Sequence, residues 1–263
     1  MNMIKQKKIL PKANPGKKIK IDVGGKTYSR FPIKTEVFKK GDEYAEKIAQ
    51  YVGDLIQDSR FINRKSNYYV IVSEKIVAIS QGRSYFIKDI KPSWWAKTLS
   101  KFVQKTPYGI GLGSPWTMQL AIQEVGLVRI LLASFLSILT KPFGLRGVFY
   151  HVAGRRAAAI DGPTSYSLYP SNVSAKLAPK DPQKAAVKIK KVIRDRLFVV
   201  CSKLTTDYLQ PTTFGGVVII DANDLGRNVL GNATDKPDHF FEEVMRDNPM
   251  GQGREGTPIV LLR

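Results

Sequence analysis

Strand-like and helix-like stretches follow one another irregularly along this chain, and that irregularity limits the folds open to it. Apolar residues recur at Tyr44, Ile48, Tyr51, Val52 and Leu55, the 3.6-residue spacing of a helix with one buried face. Val217–Ile220 is instead a short continuous apolar run behind Gly215-Gly216, the pattern of a buried strand. Tyr68–Val72 and Lys75–Ser80 are rich in β-forming residues, with Gly82 closing the second, and Ile259–Leu262 predicts a final strand. Lys18–Val23 and Lys26–Phe31 flank Gly24-Gly25, the spacing of a hairpin. Asp42, behind Gly41, is placed to cap the helix that follows it. Asp181-Pro182 predicts another helix start, with Ala185, Ile189, Val192 and Ile193 as its buried stripe. Pro115 to about Val128 also reads as helical. Regular alternation would predict a doubly wound parallel sheet; this order predicts an α+β fold of mixed sheets with packed helices.

With 263 residues, 43% of them hydrophobic, the chain can bury a sizeable core. A single cysteine, Cys201, excludes an intramolecular disulfide and a cysteine metal cluster. The basic start, Met1 to Lys5, lacks the apolar run of a signal peptide, so the expected localisation is cytoplasmic. The formal charge is +20, and residues 1–30 hold nine Lys/Arg against Asp22 alone. Residues 1–18 are therefore expected as a basic flexible arm, a solvated tail that could also touch nucleic acid or a peripheral membrane surface. From Val125 to Thr140 the sequence VGLVRILLASFLSILT is apolar apart from Arg129 and its hydroxyl residues. It is shorter than the roughly 20 residues of a spanning helix, which predicts a buried core or dimer-interface helix. A peripheral membrane contact helped by Lys141 and Arg146 is the other reading.

The chain has two histidines, His151 and His239, far apart, and no HExxH, GxSxG or Walker-type GxxxxGK[ST] pattern. Gly111-Leu112-Gly113-Ser114 precedes a helix, where such a loop can hold phosphate, but it reads first as a plain turn. More informative is Val218-Ile219-Ile220-Asp221-Ala222-Asn223-Asp224, where a buried strand delivers Asp221 at its C-terminal end. Carboxylate oxygens in this setting suit Mg²⁺ or Mn²⁺, while an Asx-rich turn would need the same residues. Asp161 leaves the small-residue stretch Ala157–Ile160 in a similar way. The tail Met250-Gly251-Gln252-Gly253-Arg254-Glu255-Gly256-Thr257-Pro258 has three glycines that let backbone approach a ligand. Arg254 adds a guanidinium fork suited to phosphate.

These pieces resemble, in order, the coenzyme F-420 gamma-glutamyl ligases. The tail Met250-Gly251-Gln252-Gly253-x-x-Gly256-x-Pro258 is similar without gaps to that family's C-terminal motif. Val218–Arg227 resembles its strand ending in Asp-Thr-x-Gly-Arg, and Ile160-Asp161 its Gly-Ile-Asp. Val70–Arg83 resembles its Glu-Gly-Arg segment, Thr35–Asp42 its opening nucleotide loop, and Ser171-Asn172-Val173 its Ser-Asn-Val. The sequence departs from the family at Ile79, where a lysine is usual, and at Ala222, where a threonine is usual. An insertion separates Asp161 from Asn172, leaving Thr164 at the ungapped position. The family's long arm before the tail is cut short, and the apolar segment near 125–145 stands in its place.

The resemblance implies a gamma-glutamyl-ligase-like fold, with 19–263 as a single ligase-like domain or two intertwined subdomains, and a homodimer. It implies a GTP- or ATP-dependent acid–amino-acid ligase that joins glutamate or a similar amino acid to a carboxylate-bearing acceptor through an acyl phosphate. By carry-over, Asp161 and Asp221 are catalytic, and Asp161, Asp221, Asp224 and Gln252 hold Mg²⁺ or Mn²⁺. Thr35, Glu36, Val37, Phe38, Glu74, Lys75, Arg83, Asn172, Met250, Gly251, Gly253, Arg254 and Thr257 would line the nucleotide. Two other readings compete: an inactive family member that still binds nucleotide, and a basic nucleic-acid-binding protein that lacks any recognised signature.

Overall fold

The structure, a computed structural model, describes residues 11–56, 67–103, 111–145, 147–163, 173–203, 214–223 and 226–263. The first half of the described chain runs β1 (Lys20–Val23), β2 (Lys26–Ile33), α1 (Tyr44–Ile56), β3 (Tyr68–Ser73), α2 (Glu74–Ser80), β4 (Ser84–Phe86), α3 (Trp94–Leu99) and α4 (Pro115–Val125). There follow α5 (Leu127–Thr140), α6 (Val148–Ala153), α7 (Arg155–Ala158), β5 (Ser174–Lys176), α8 (Pro182–Lys203), β6 (Phe214–Ala222), β7 (Arg227–Ala233), α9 (Asp238–Val244) and β8 (Ile259–Leu262). The fold is α+β, with two compact units: Met1–Ser80 with Asp181–Arg263, and Gln81–Lys180.

The first unit is built on a six-stranded mixed sheet in the order β1-β2-β8-β3-β6-β7. β1 and β2 form the expected hairpin, and both glycines of its turn take positive φ, 56° and 76°. β8 is antiparallel to both of its neighbours, β2 and β3, whereas β3 and β6 are parallel. The central strands are buried on both sides, which is why they read as unbroken apolar runs. Val70, Val72, Val217, Ile219, Ile259 and Leu261 share one core with Ile48, Val52, Ile189 and Ile193 of α1 and α8. Tyr69, Ile71, Val218, Ile220, Val260 and Leu262 share a second core with Phe241 and Val244 of α9. Each strand thus divides its residues by parity between two helical layers. The Tyr69 hydroxyl donates to Asp235 at 3.0 Å, and burial together with that carboxylate pushes the phenol up to about 12.

Arg30 of β2 is buried, yet its two terminal nitrogens are well supplied with acceptors. It donates to the Val244 carbonyl at 2.8 Å, the Lys18 carbonyl at 2.6 Å and both carboxylate oxygens of Asp247. Burial pulls the Asp247 carboxyl upward, but the hydrogen bond and charge of Arg30 outweigh it and hold the group below its ordinary value of 3.8.

The second unit has a two-stranded antiparallel sheet, β4 with β5, and a core of Leu112, Met118, Leu120, Ala121, Ile130, Ala133, Ala153 and neighbouring residues. Ser114 caps α4 by accepting the Thr117 N–H at 3.2 Å, and Pro115 occupies the first turn, so the Gly111–Ser114 stretch is a helix-capping turn. Where the chain enters and leaves this unit, the Gln81 amide donates to the Lys180 carbonyl at 3.0 Å and accepts the Lys180 N–H at 2.6 Å.

Three local expectations are corrected. Lys75–Ser80 is helical, because Ile76, Val77 and Ser80 bury together at helical spacing and tertiary packing overrides β propensity. Asp42 does not cap α1. Its carboxylate accepts the Lys39 N–H and the Lys47 ammonium, both at 2.8 Å, so it closes the loop before the helix. The hydrogen bond from Lys47 is the chief reason its carboxyl is held low. The apolar segment is not a core helix throughout: Gly126 breaks it, and in α5 Ile130 and Ala133 are buried while Val128, Leu132, Phe135, Ile138 and Leu139 are exposed.

Two outcomes follow from this packing. A Cβ added at Gly231 would lie 2.4 Å from the Pro182 carbonyl oxygen, at the start of α8. Gly231→Ala is therefore expected to cost about 1–3 kcal/mol in denaturant unfolding. Asp247→Asn, which leaves Arg30 without its counter-charge, should cost about 3 kcal/mol near neutral pH. Because the native Asp247 carboxyl is depressed, its contribution is complete above its ordinary value and disappears as pH falls through the lower native one. The gap between wild type and Asp247→Asn should accordingly close below pH 3.8 in unfolding curves taken at stepped pH.

Candidate functional site

Strand direction alone gathers much of the first unit's chemistry. β2, β3 and β6 run the same way and β8 runs against them, so the ends of the first three and the start of β8 lie on one edge of the sheet. In register, Ile33 pairs with Ile259, Val72 with Ile259, and Ser73 with Ile220. Beyond these pairs lie Lys34–Phe38 after β2, Glu74 and Lys75 after β3, Asp221 at the end of β6, and the tail residues before β8.

Backbone hydrogen bonds fasten these stretches together. The Thr35 N–H donates to the Gly256 carbonyl at 3.0 Å, joining the loop after β2 to the tail. The Ser73 N–H donates to the Pro258 carbonyl at 2.8 Å, joining the end of β3 to the same tail. Within the loop, the Glu36 N–H donates to the Tyr51 hydroxyl at 3.0 Å, and the Glu36 carboxylate pairs with Lys47 at 2.8 Å. Phe38 is a core anchor, 2% exposed, with Lys47 over its ring, so its side chain fixes the loop from beneath. Val37 is exposed.

The tail is a tightly bonded loop. Met250 and Thr257 are buried at its base, where the Thr257 hydroxyl donates to the Met250 carbonyl at 2.8 Å. Asn14, within the stretch expected as an arm, donates to the Thr257 hydroxyl at 2.7 Å and to the Pro249 carbonyl at 2.8 Å. Asn248 is fully buried with φ at 46°; its amide donates to the Gly251 carbonyl at 3.0 Å and to Gln252 Oε1 at 3.2 Å. Gln252 therefore has an oriented side chain. The Glu255 carboxylate accepts the Gly253 N–H at 2.8 Å and lies where a Cβ on Gly251 would meet it at 2.5 Å. Arg254 is exposed. Neither Asn14, Asn248 nor Glu255 stood out in the sequence, because their roles depend on partners that only folding supplies.

Asp221 is half-buried at the end of β6, paired in register with Asn228 of β7. The next residue but one closes the hairpin: Gly226 N–H donates to Asn223 Oδ1, and Asn223 N–H to the Gly226 carbonyl, both at 2.9 Å. Asn223 thus serves the turn. Asp224, expected among the metal ligands, lies outside the described residues, as do Asn172 and Thr164. Glu74 is buried at the start of α2 and Lys75 beside it is half-buried.

The second unit holds Arg83 and Asp161. The Arg83 guanidinium pairs with Glu124 at 2.9 Å and donates through Nε to the Ala178 carbonyl, so within its unit it braces β4 and β5 against α4. Asp161 is exposed and exchanges both backbone hydrogen bonds with Lys176, each at 2.9 Å. Lys176 is buried, its ammonium donating to Ser174 at 3.3 Å. Nothing in the sequence marked it, since a lysine in a short strand normally faces water. Among the described residues, no three His, Cys, Asp or Glu side chains gather into a metal cluster. Asp221 and Gln252 nevertheless supply hard oxygen donors, the kind that Mg²⁺ and Mn²⁺ accept beside waters or phosphate oxygens.

A family model described as F420-0:gamma-glutamyl ligase matches residues 32–209, about two thirds of the chain. The chain belongs to the F420-0:gamma-glutamyl ligase family. Membership in this ligase family implies a ligase activity. The match takes in the loop after β2, the end of β3, the whole second unit and α8. Asp221 and the tail of this F420-0:gamma-glutamyl ligase homologue lie beyond it, and their roles rest on the motif resemblance. Among curated proteins none matches the chain.

The Asn248 hub yields a direct check. Asn248→Ala removes two tail hydrogen bonds and places a Cβ residue without a local polar partner at positive φ, so it should lose about 2–3 kcal/mol. Asn248→Gly removes the same bonds without the backbone penalty and should recover about 1 kcal/mol of that loss, read by paired thermal melts.

Proposed function

We propose that this chain is a nucleotide- and divalent-cation-dependent ligase that couples glutamate, or a similar amino acid, to a carboxylate-bearing acceptor of the F-420 precursor or folate kind. The observation that carries the reading is the single sheet edge on which the Thr35 loop, Glu74, Asp221 and the glycine-rich tail lie, with the Thr35 loop and Ser73 at the end of β3 each bonded to the tail through backbone. The family match supports the ligase class itself.

In the proposed reaction, an acceptor carboxylate oxygen attacks the γ-phosphorus of GTP or ATP. The bond to the β-phosphate bridging oxygen breaks, leaving an acyl phosphate and a nucleoside diphosphate. The glutamate amine then attacks the acyl carbon and loses a proton to solvent or to phosphate, and orthophosphate departs as the amide forms. The chain's task is to position two anions and offset their repulsion. Asp221 and Gln252 are the first unit's candidates to hold Mg²⁺ or Mn²⁺, whose bound form would neutralise phosphate charge. Asp161, in the second unit, is a metal-ligand candidate by motif resemblance alone. Arg254 offers exposed donors, and Gly251 and Gly253 would open backbone to a polyphosphate once the Glu255 carboxylate that lies over them moves aside. The expected location is the cytoplasm.

A second reading, an inactive member that binds nucleotide, draws on one specific observation. The Glu255 carboxylate already occupies the Gly253 N–H, and a phosphate oxygen would have to displace it. Ile79 and Ala222, where the family carries lysine and threonine, point the same way.

A mixture of GTP, Mn²⁺, glutamate and a carboxylate acceptor separates the two. The ligase releases orthophosphate only when every component is present, and Asp221→Asn should lower that rate about 100-fold or more. Saturating GTP with Mn²⁺, at about 100 times Kd, should raise Tm by about 5–10 °C in the wild type and far less in Asp221→Asn. A Tm rise without phosphate release would favour the binder; neither response would overturn both readings.

A further inference from the structure

The second unit presents a largely apolar helix, α5, that buries one apolar side and turns another outward. Successive residues of an α-helix turn by about 100°, so Val128, Leu132, Phe135 and Leu139 fall on one narrow stripe of α5, with Ile138 at its flank. All five are exposed, Val128 at 81%. The buried residues of the same helix, Ile130 and Ala133, lie on the opposite side. Phe143, in the 3-10 turn that follows, is 80% exposed and carries the apolar strip onward. An apolar stripe of this kind on a water-facing surface marks a docking face.

No single described helix is long and apolar enough to cross a membrane, and the pair α4 and α5 qualifies only together, bent by 115°. α4 is packed into its unit's core through Met118, Leu120 and Ala121, so it is not available to enter a bilayer. α5 by itself, with 14 residues, is about 21 Å long against a hydrocarbon core of about 30 Å. A helix of that length fits along a bilayer surface.

Charge selects which surface. Residues 81–180 contain thirteen Lys and Arg but three acidic residues, Asp89, Glu124 and Asp161. Glu124 is itself paired with Arg83. Lys88, Lys91, Lys97, Lys101 and Lys141 are all exposed on this unit. Docking a second copy through the same face would bring two strongly cationic units together, at an electrostatic cost. An anionic bilayer meets both features: lipid headgroups attract the lysines, and the acyl boundary accepts the stripe. We propose that α5 docks this chain, lying flat, on a membrane surface rich in anionic lipid. The docking is independent of the ligase reading and stands or falls without it.

Flotation of the full chain with vesicles tests the proposal. Wild type is expected to float with vesicles of phosphatidylcholine mixed with phosphatidylglycerol, and not with phosphatidylcholine alone. Phe135→Glu with Leu139→Glu should lower partition at least about tenfold while Tm is unchanged, since both side chains are exposed. Val128→Ser with Leu132→Ser serves as a second variant should the first melt early, and is expected to weaken binding in the same direction. A well-folded variant that floats as wild type does would assign the binding to the basic N-terminal residues and overturn the proposal. So would equal binding to both vesicle types. A wild-type dimer in analytical ultracentrifugation that the same substitutions dissociate, with no vesicle binding, would give the face to a second copy instead.

Discussion

Parallel pairing between β3 and β6, with β8 set between β2 and β3, is the constraint on which the first unit depends. It forces β2, β3 and β6 to end on the same side, and so it decides which loops can meet. Parallel strands need a long crossover, and here α8 and the whole second unit lie within the chain between β3 and β6. Burial on both faces pins the register, because a one-residue slip would exchange the α1/α8 core residues for the α9 core residues along an entire strand. Arg30 reinforces the arrangement from the side: a buried guanidinium that binds Lys18, Val244 and Asp247 fixes β2 to the end of α9.

Five of the first unit's six strands were legible because the physics that makes them leaves a local pattern, whereas Arg227–Ala233 (β7) mixes polar residues and glycine and leaves none. Val217–Ile220 and Ile259–Leu262 are unbroken apolar runs, and the Gly24-Gly25 hairpin announces its turn. α1 and α8 show their buried stripes at 3.6-residue spacing. Lys75–Ser80 was misread because six β-forming or neutral residues do not distinguish strand from helix until a packing surface is present. For α5 the sequence left a core, an interface and a membrane surface open, because hydrophobicity gives no direction; the exposed Val128, Leu132 and Phe135 set aside only a helix buried throughout. Asp42 had the residue type and position of a helix cap, but Lys47 one turn into α1 captured its carboxylate.

Much of the candidate site could be read as motifs, while its internal wiring could not. Asp221 at a strand end and the glycines of the tail are local features. The bond from Thr35 to Gly256, the hub at Asn248, and the clasp of Asn14 on Thr257 join residues far apart in sequence, and no spacing rule reaches them. The tail illustrates the difference between a residue type and a role. Gln252 and Gly253 match a motif, but the structure adds that Asn248 orients the first and Glu255 holds the N–H of the second. Any anion that enters there competes with a carboxylate already in place.

β8 also governs when this molecule can become itself. Its four residues near the chain's end are flanked on both sides, Leu262 pairing with Arg30 on one side and with Tyr69 on the other. During synthesis β2 and β3 leave the ribosome early and wait, their edges unpaired, until residue 262 emerges. Contacts so remote in sequence slow folding, and waiting strand edges invite pairing with other chains. The stretch of synthesis between residue 73 and residue 262 is therefore the interval in which those edges stand open to other chains.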